Sequence, residues 1–314
     1  MTTCKKVLVT GGSGLVGSAI KHISRNTIHE SAYEFVFLSS TNYNLCVLED
    51  TVKMFTEHRP HYVIHLAANV GGLYKNMNQK VEMLEKNLIM NYNVIKCAHD
   101  FKVEKLIACL STCIFPDKVR YPITEDDLHH GPPHHSNDAY AYAKRMLEIH
   151  CRAYRENYGD NFICIIPTNI YGPHDNFDLE DGHVLPALIH KCYLAKKEGK
   201  PFVIRGSGKP LRQFIYSRDL AKLILKVLFD FRGDNIILSV PESYETSISD
   251  VGFSIAKAFQ YEDHVVFDKS FSDGQHKKTV STEKIMSLLG NKFTFTTIEE
   301  GIESTVRWFL ENKV

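Results

Sequence analysis

The sequence predicts an α/β protein built on a Rossmann-type, doubly wound parallel sheet, with a smaller C-terminal α/β part that binds substrate. Short runs at 6–10, 34–38, 62–66, 106–110 and 162–166 are apolar at most positions, as strands buried on both faces of a parallel sheet must be. Stretches with helical spacing lie between and beyond them, of which 81–100 is the longest. The first apolar run passes straight into Gly11-Gly12-Ser13-Gly14-Leu15-Val16-Gly17, a strand, a glycine turn and a helix start.

That turn is the first candidate site. Glycines let backbone amides approach a pyrophosphate, and the helix behind them presents unpaired N–H groups and partial positive charge. Gly11, Gly12, Ser13, Gly14, Leu15, Val16 and Gly17 are therefore expected to hold a dinucleotide. The second run ends in Ser39-Ser40-Thr41-Asn42 and not in an acid. A carboxylate there would hold a ribose 2′-hydroxyl and repel a 2′-phosphate, whereas hydroxyls and an amide accept one, so Ser39 and Ser40 favour NADP over NAD. The third run closes with Leu66, Ala67 and Ala68, small enough at the last two positions for a cofactor to lie across the strand end. Asn44 stands where many such folds carry an aspartate for the adenine amine.

Composition narrows the function classes. The 314 residues include 37 Lys+Arg and 37 Asp+Glu, so no basic excess marks a nucleic-acid or membrane-surface binder. Met1-Thr2-Thr3-Cys4-Lys5-Lys6 has no apolar signal segment, and no apolar run approaches a membrane span. The 8 cysteines, at 4, 46, 97, 109, 113, 151, 164 and 192, show neither a C-x-x-C pair nor zinc spacing, which reads as a reduced, cytoplasmic protein without a metal. His129, His130, His134 and His135 flank Pro132-Pro133 and read as a stiffened loop in preference to a metal site.

The run 81–100 carries two apolar stripes, one with Leu84, Leu88 and Ile95, the other with Met83, Met90, Val94 and Ala98. A helix that covers a sheet needs one such face, so the second is expected to pack on another subunit, with 141–158 sharing the contact in a homodimer. Asn87 and Asn91 interrupt the apolar pattern and read as hydrated or backbone-capping amides.

Chemistry is read from Tyr140-Ala141-Tyr142-Ala143-Lys144. Residues four apart share a helix face, so the lysine is expected to lower the phenol from about 10 towards neutrality. Such a tyrosine can hand a proton to a carbonyl oxygen as hydride reaches the carbon. Ser111-Thr112-Cys113 follows the run 106–110, at the strand end where open α/β sheets bind ligands. In an extended chain Ser111 and Cys113 point to the same side, and Ser111 can hydrogen-bond the same carbonyl. Cys113 then reads equally as a base for protons beside that carbonyl or as a small buried apolar residue.

Together with Ser111-Thr112-Cys113-Ile114-Phe115-Pro116, Tyr140 and Lys144, the stretches Pro167-Thr168-Asn169-Ile170-Tyr171-Gly172-Pro173-His174-Asp175-Asn176-Phe177 and Asp181-Gly182-His183-Val184 closely resemble the extended short-chain dehydrogenase/reductase family. The resemblance extends over essentially the whole chain, in the branch that epimerises GDP-4-keto-6-deoxy-D-mannose at C3 and C5 and reduces it at C4. It implies Cys113 as the base and His183 as the acid of epimerisation, and Ser111, Tyr140 and Lys144 as the reductase set. It further implies that Pro167, Thr168, Asn169, Ile170 and His183 lie along the cofactor, and that Lys191, Arg205, Arg212, Asp273 and Lys278 surround the GDP-sugar. Arg205 departs from the tryptophan common in the family. The implied division is 1–170 for the nucleotide part and 171–314 for a mainly substrate-binding part, with segments near 213–240 returning to the first. A 4-epimerase or 4,6-dehydratase with retained NAD is the competing enzyme, but a dehydratase needs an acidic pair where Thr112-Cys113 stands. A nucleotide-binding fold without catalysis is the competing non-enzyme.

Overall fold

Alternation along the strands decides which side chains meet which helices. In the computed structural model, residues 4–27, 32–271, 273, 276–290 and 293–314 are described, so Met1, Thr2 and Thr3 lie outside the described residues. The strands in chain order are β1 (Lys5–Thr10), β2 (Tyr33–Leu38), β3 (Tyr62–His65), β4 (Lys105–Cys109), β5 (Phe162–Pro167), β6 (Asn169–Tyr171), β7 (Phe202–Arg205), β8 (Leu211–Arg212), β9 (Phe214–Tyr216) and β10 (Asn235–Leu238). Six of them form one parallel sheet in the order β10-β5-β4-β3-β1-β2. The order reverses beside β1 and β3, and a ligand crevice belongs at the carboxyl ends of strands flanking such a reversal.

The helices along the same stretch are α1 (Leu15–Thr27), α2 (Leu48–His58), α3 (Leu73–Asn78), α4 (Lys80–Asp100), α5 (Asp138–Tyr158), α6 (Val184–Glu198) and α7 (Ser217–Asp230). Val7, Val9, Ile64, Ile107 and Ile163 project to the face covered by α1 and α7. Their neighbours Leu8, Val63, Leu106, Phe162 and Cys164 project to the opposite face, against α2, α4 and α5. A third core gathers α6, β7, α8 (Ile248–Ala258) and α10 (Ile298–Asn312) around Leu188, Phe202, Ile255 and Phe309.

Element bounds follow the sequence pattern closely, with informative exceptions. The third and fourth strands end one residue early, at His65 and Cys109, where the chain leaves the sheet to line the crevice. Helix α1 begins at Leu15, inside the glycine run, so Leu15, Val16 and Gly17 form its first turn. Of the two roles expected for the α4 amides, hydration or bonding to backbone, Asn87 takes the second. Asn87 donates from Nδ2 to the Asn69 and Met83 carbonyls (3.0 and 2.6 Å) and accepts the Asn69 N–H at 2.9 Å. Asn91 Oδ1 meets His65 Nε2 at 3.0 Å, and Asn93 donates to the Leu45 carbonyl at 2.9 Å. These bonds fasten the loops after β2 and β3 to α4, which fixes the crevice floor. Among the described residues no helix is long and apolar enough to cross a membrane.

Candidate active site

The glycine turn is shaped by close approach. Gly11 takes φ +67°, where a Cβ would be strained and would stand 2.9 Å from the Ala67 nitrogen. At Gly17, in the first turn of α1, a Cβ would come within 2.5 Å of the Gly11 carbonyl oxygen. Gly12 donates its N–H to the Leu38 carbonyl at 2.7 Å, and a Cβ there would strike Phe37 at 2.8 Å. Its smallness seats the turn on β2.

A cleft of about 1110 Å³ lies over the carboxyl ends of β1, β3, β4 and β5. It is lined by Gly11, Ser13, Gly14, Leu15, Val16 and Gly17 from the turn, and by Ser39, Ser40 and Asn44 beyond β2. Leu66, Ala67, Ala68, Pro167, Thr168, Asn169 and Ile170 line it from the ends of β3 and β5. No acid follows β2: Ser39 Oγ bonds Thr41 Oγ1 at 2.8 Å and donates to Asn42 Oδ1 at 3.1 Å. A turn closed to any Cβ, an exposed helix start and a hydroxyl cluster together fit a dinucleotide that carries a 2′-phosphate.

Ser111, Cys113, Tyr140, Lys144 and His183 line the same cleft. Ser111 and Cys113 come together by a turn and not by extended alternation. Ser111 is extended (φ −160°, ψ 152°), but its Oγ accepts the Cys113 N–H at 3.5 Å and starts a single 3-10 turn over Thr112–Ile114. On α5, Lys144 is buried and donates from Nζ to the Cys109 carbonyl at 2.7 Å, with the ammonium 5.7 Å from the Tyr140 ring centroid. The expected lowering of the phenol is not found. Burial pushes Tyr140 well above the usual tyrosine value, the Cys113 and Cys109 thiols add to it, and the Lys144 ammonium is directed at the strand end. Tyr140 therefore rests as a neutral proton donor. Burial also lowers Lys144, against smaller opposing effects of the three nearby thiols of Cys109, Cys113 and Cys164.

The Cys113 thiol is raised by burial and pulled back by the Ser111 hydroxyl and by the Lys278 and Lys144 ammonium groups. His183 occupies the N-cap position of α6 with no capping bond from its side chain, which leaves the imidazole available to the cleft. Desolvation lowers it below the ordinary histidine value even though the residue is open to solvent on its cleft side. The positive end of α6 also disfavours an imidazolium there.

The expected substrate residues divide. Arg212 and Lys278 line the main cleft, while Lys191 and Arg205 line a smaller adjoining pocket of about 210 Å³; Val184 borders both. Arg205, where tryptophan had been expected, lays its guanidinium 4.5 Å from the Phe271 ring centroid. Burial, and then the Arg205 charge, lower Lys191. Asp273 fastens the turn at 206–208: its carboxylate accepts the Ser207 N–H at 2.8 Å and the Ser207 hydroxyl at 2.5 Å.

Three further residues belong to the site. Asn137 lines the cleft three positions before Tyr140, and its Oδ1 finds no partner among the described residues. That spacing was the available signal. Asp175 lines the cleft too; Oδ1 accepts the Asn176 N–H at 2.8 Å, Oδ2 has no partner among the described residues, and burial pushes the acid up to about 7. His65 lies beneath the floor between Thr10 Oγ1 (2.8 Å) and Asn91 Oδ1 (3.0 Å), and burial, then the Lys144 charge, hold it at about 4, so it is neutral.

A glycine-turn crevice holding a Ser-Tyr-Lys set defines a nicotinamide-dependent enzyme of the doubly wound class, and the chain belongs to the NAD dependent epimerase/dehydratase family, whose sequence pattern matches residues 7–238. It lies in the GDP-L-fucose synthase branch of that family. It is 50% identical over 313 residues to GDP-L-fucose synthase of Dictyostelium discoideum, covering 99% of this chain and 97% of that relative. It is 31% identical over 318 residues to GDP-L-fucose synthase of Escherichia coli K12, covering 98% of each. The structure of a GDP-L-fucose synthetase from Naegleria fowleri bound to NADP matches with a TM-score of 0.94 at 50% identity, over 99% of this chain and 94% of that one. The cofactor of this chain is NADP(H).

Proposed function

We propose that the protein epimerises GDP-4-keto-6-deoxy-D-mannose at C3 and C5 and then reduces C4, giving GDP-L-fucose. The observation that carries the reading is that Ser111, Cys113, Tyr140, Lys144 and His183 all line one cleft with the glycine turn. The C4 ketone acidifies the hydrogens on its neighbouring carbons. Desolvation leaves Cys113 as a thiol and His183 as a neutral imidazole at rest, so the thiolate base and the imidazolium acid form only when the thiol proton is moved to the imidazole, a step that both shifts make costlier. Cys113 removes the proton from C3 or C5, the electron pair moves to the C4 oxygen, and His183 returns a proton to the opposite face of the carbon. Ser111 and Tyr140 donate hydrogen bonds to the oxygen that carries the charge. When bound, NADPH supplies the hydride for C4. Tyr140 then gives its phenolic proton to the C4 oxygen, and the Lys144 ammonium stabilises the phenolate left behind. Both stages charge the same oxygen, so the same two donors serve both.

Arg212 and Lys278 in the cleft, with Lys191 and Arg205 beside it, supply cations for the GDP diphosphate. The substrate part spans 171–314, and α7 and β10 return to the nucleotide part. Ile89, Tyr92, Tyr142 and Met146 leave an apolar surface exposed on α4 and α5, which supports a homodimer through these helices. The eight cysteines are thiols and not disulfides, which supports a reducing, cytoplasmic setting.

Incubation with NADPH and GDP-4-keto-6-deoxy-D-mannose in D₂O tests the reading. NMR is expected to identify GDP-L-fucose with deuterium at C3 and C5 and stoichiometric NADPH oxidation. Turnover without NADPH consumption, as for a 4-epimerase or dehydratase, contradicts it, as does reduction without inversion.

A further inference from the structure

A buried thiol must ionise before it can act as a base, and the fold brings a second lysine to Cys113 for that purpose. Cys113 packs against the hydrophobic core to which Ile114, Phe115, Ile123 and Val280 belong. The segment 278–281 is locked beside it. Ile123 donates its N–H to the Thr279 carbonyl at 2.9 Å and accepts the Ser281 N–H at 2.7 Å, within a parallel bridge between Ile123 and Val280. Gln213 Oε1 accepts the Val280 N–H at 2.8 Å, and Thr279 donates its hydroxyl to Glu245. Alternate residues of an extended segment share a side, so Lys278 lies on the side of Val280 and of Cys113 while Thr279 turns away. Lys278 duly lines the cleft with Cys113.

We propose that Lys278 is a positioning residue for the epimerisation half of the reaction, its ammonium stabilising the Cys113 thiolate that draws off the C3 and C5 protons. This rests on Cys113 being the base. The charged and titratable groups around the sulfur are Lys278, Lys144, Arg145, Tyr140 and Cys109, with Arg212 and Asp117 around Lys278. Lys144 is tied to the Cys109 carbonyl and serves the reductase pair. Burial lowers the Lys278 amine and the thiol of Cys113 opposes that fall, just as Lys278 opposes the rise of the thiol. In each step the C–H bond breaks, an S–H bond forms, and the electron pair goes to the C4 oxygen.

The test is the pH profile of iodoacetamide alkylation at Cys113, followed by mass spectrometry of its peptide in the ligand-free protein. Lys278→Met is expected to move the profile up by about one pH unit, so alkylation below the midpoint slows about tenfold. Lys278→Arg, which keeps the charge, is expected to leave it in place. Deuterium incorporation at C3 and C5 falls with the Met variant more than reduction of an already epimerised ketone does. An unchanged alkylation profile accompanied by a raised KM in both stages overturns the proposal and leaves Lys278 with its diphosphate contact alone. Equal shifts in both variants also overturn it, because packing and not charge would then be the cause. Alkylation needs no substrate, so a shifted profile in a protein that does not epimerise would reject the overall reaction and not the pairing of Lys278 with Cys113.

Discussion

Replacing Asp175 by asparagine should stabilise the protein at alkaline pH relative to acid pH. The acid is raised from 3.8 to about 7 by burial, with one oxygen unpartnered. A carboxyl whose folded value is raised gives its full contribution to stability below the unfolded value and loses it as pH climbs through the folded one. The loss thus runs from about pH 4 to about pH 7 and is complete above. A rise of about three pH units at about 1.36 kcal/mol each sets an upper bound of about 4 kcal/mol. Because Asp175 is half-buried and its surroundings can relax, about 1–3 kcal/mol is expected. Asparagine cannot ionise, so Asp175→Asn minus wild type should grow by about two-thirds of that amount between pH 5 and pH 8, the first third falling below pH 5. Urea unfolding of the cofactor-free proteins at both values measures it. His65, lowered from 6.5 to about 4, loses its own contribution as pH falls, but it is common to both proteins and cancels in the difference. A difference that stays constant with pH would refute the reasoning and show that Asp175 ionises as an ordinary aspartate.

Gly17→Ala should weaken NADPH binding about fivefold or more by fluorescence titration, because the new Cβ would stand 2.5 Å from the Gly11 oxygen and overpacking costs about 1–3 kcal/mol. Unchanged affinity with a native circular dichroism spectrum would refute it. Ser39→Asp should raise the Kd for NADPH more than that for NADH, by placing a carboxylate where the hydroxyl cluster now stands. Equal effects on both cofactors would put the 2′-phosphate elsewhere. Asn87→Ala should cost about 1–3 kcal/mol in urea unfolding, since it leaves the Asn69 backbone groups without their partners. An unchanged midpoint would show that α4 does not hold that loop.

The sheet was legible because buried parallel strands are apolar on both faces, and the glycine turn because its chemistry is local. What could not be read was whatever depends on distant packing. Ser111 and Cys113 meet through a 3-10 turn begun by the serine itself, which an apolar strand pattern does not announce. The Tyr140-Lys144 spacing was visible, but the sign of the phenol shift depends on burial and on a carbonyl at the end of β4 that attracts the ammonium. Asp175 sits in a loop with no periodicity, so its burial had no signature. The bonds from Ser207 to Asp273 join residues 66 apart in the chain, which no local pattern announces.

Deuterium exchange by Cys113→Ser tests the two-stage use of one cleft most directly. The account predicts that this variant no longer introduces solvent deuterium at C3 and C5 of GDP-4-keto-6-deoxy-D-mannose, yet still oxidises NADPH with a ketone already inverted at both carbons. Normal deuterium incorporation by the variant would contradict it.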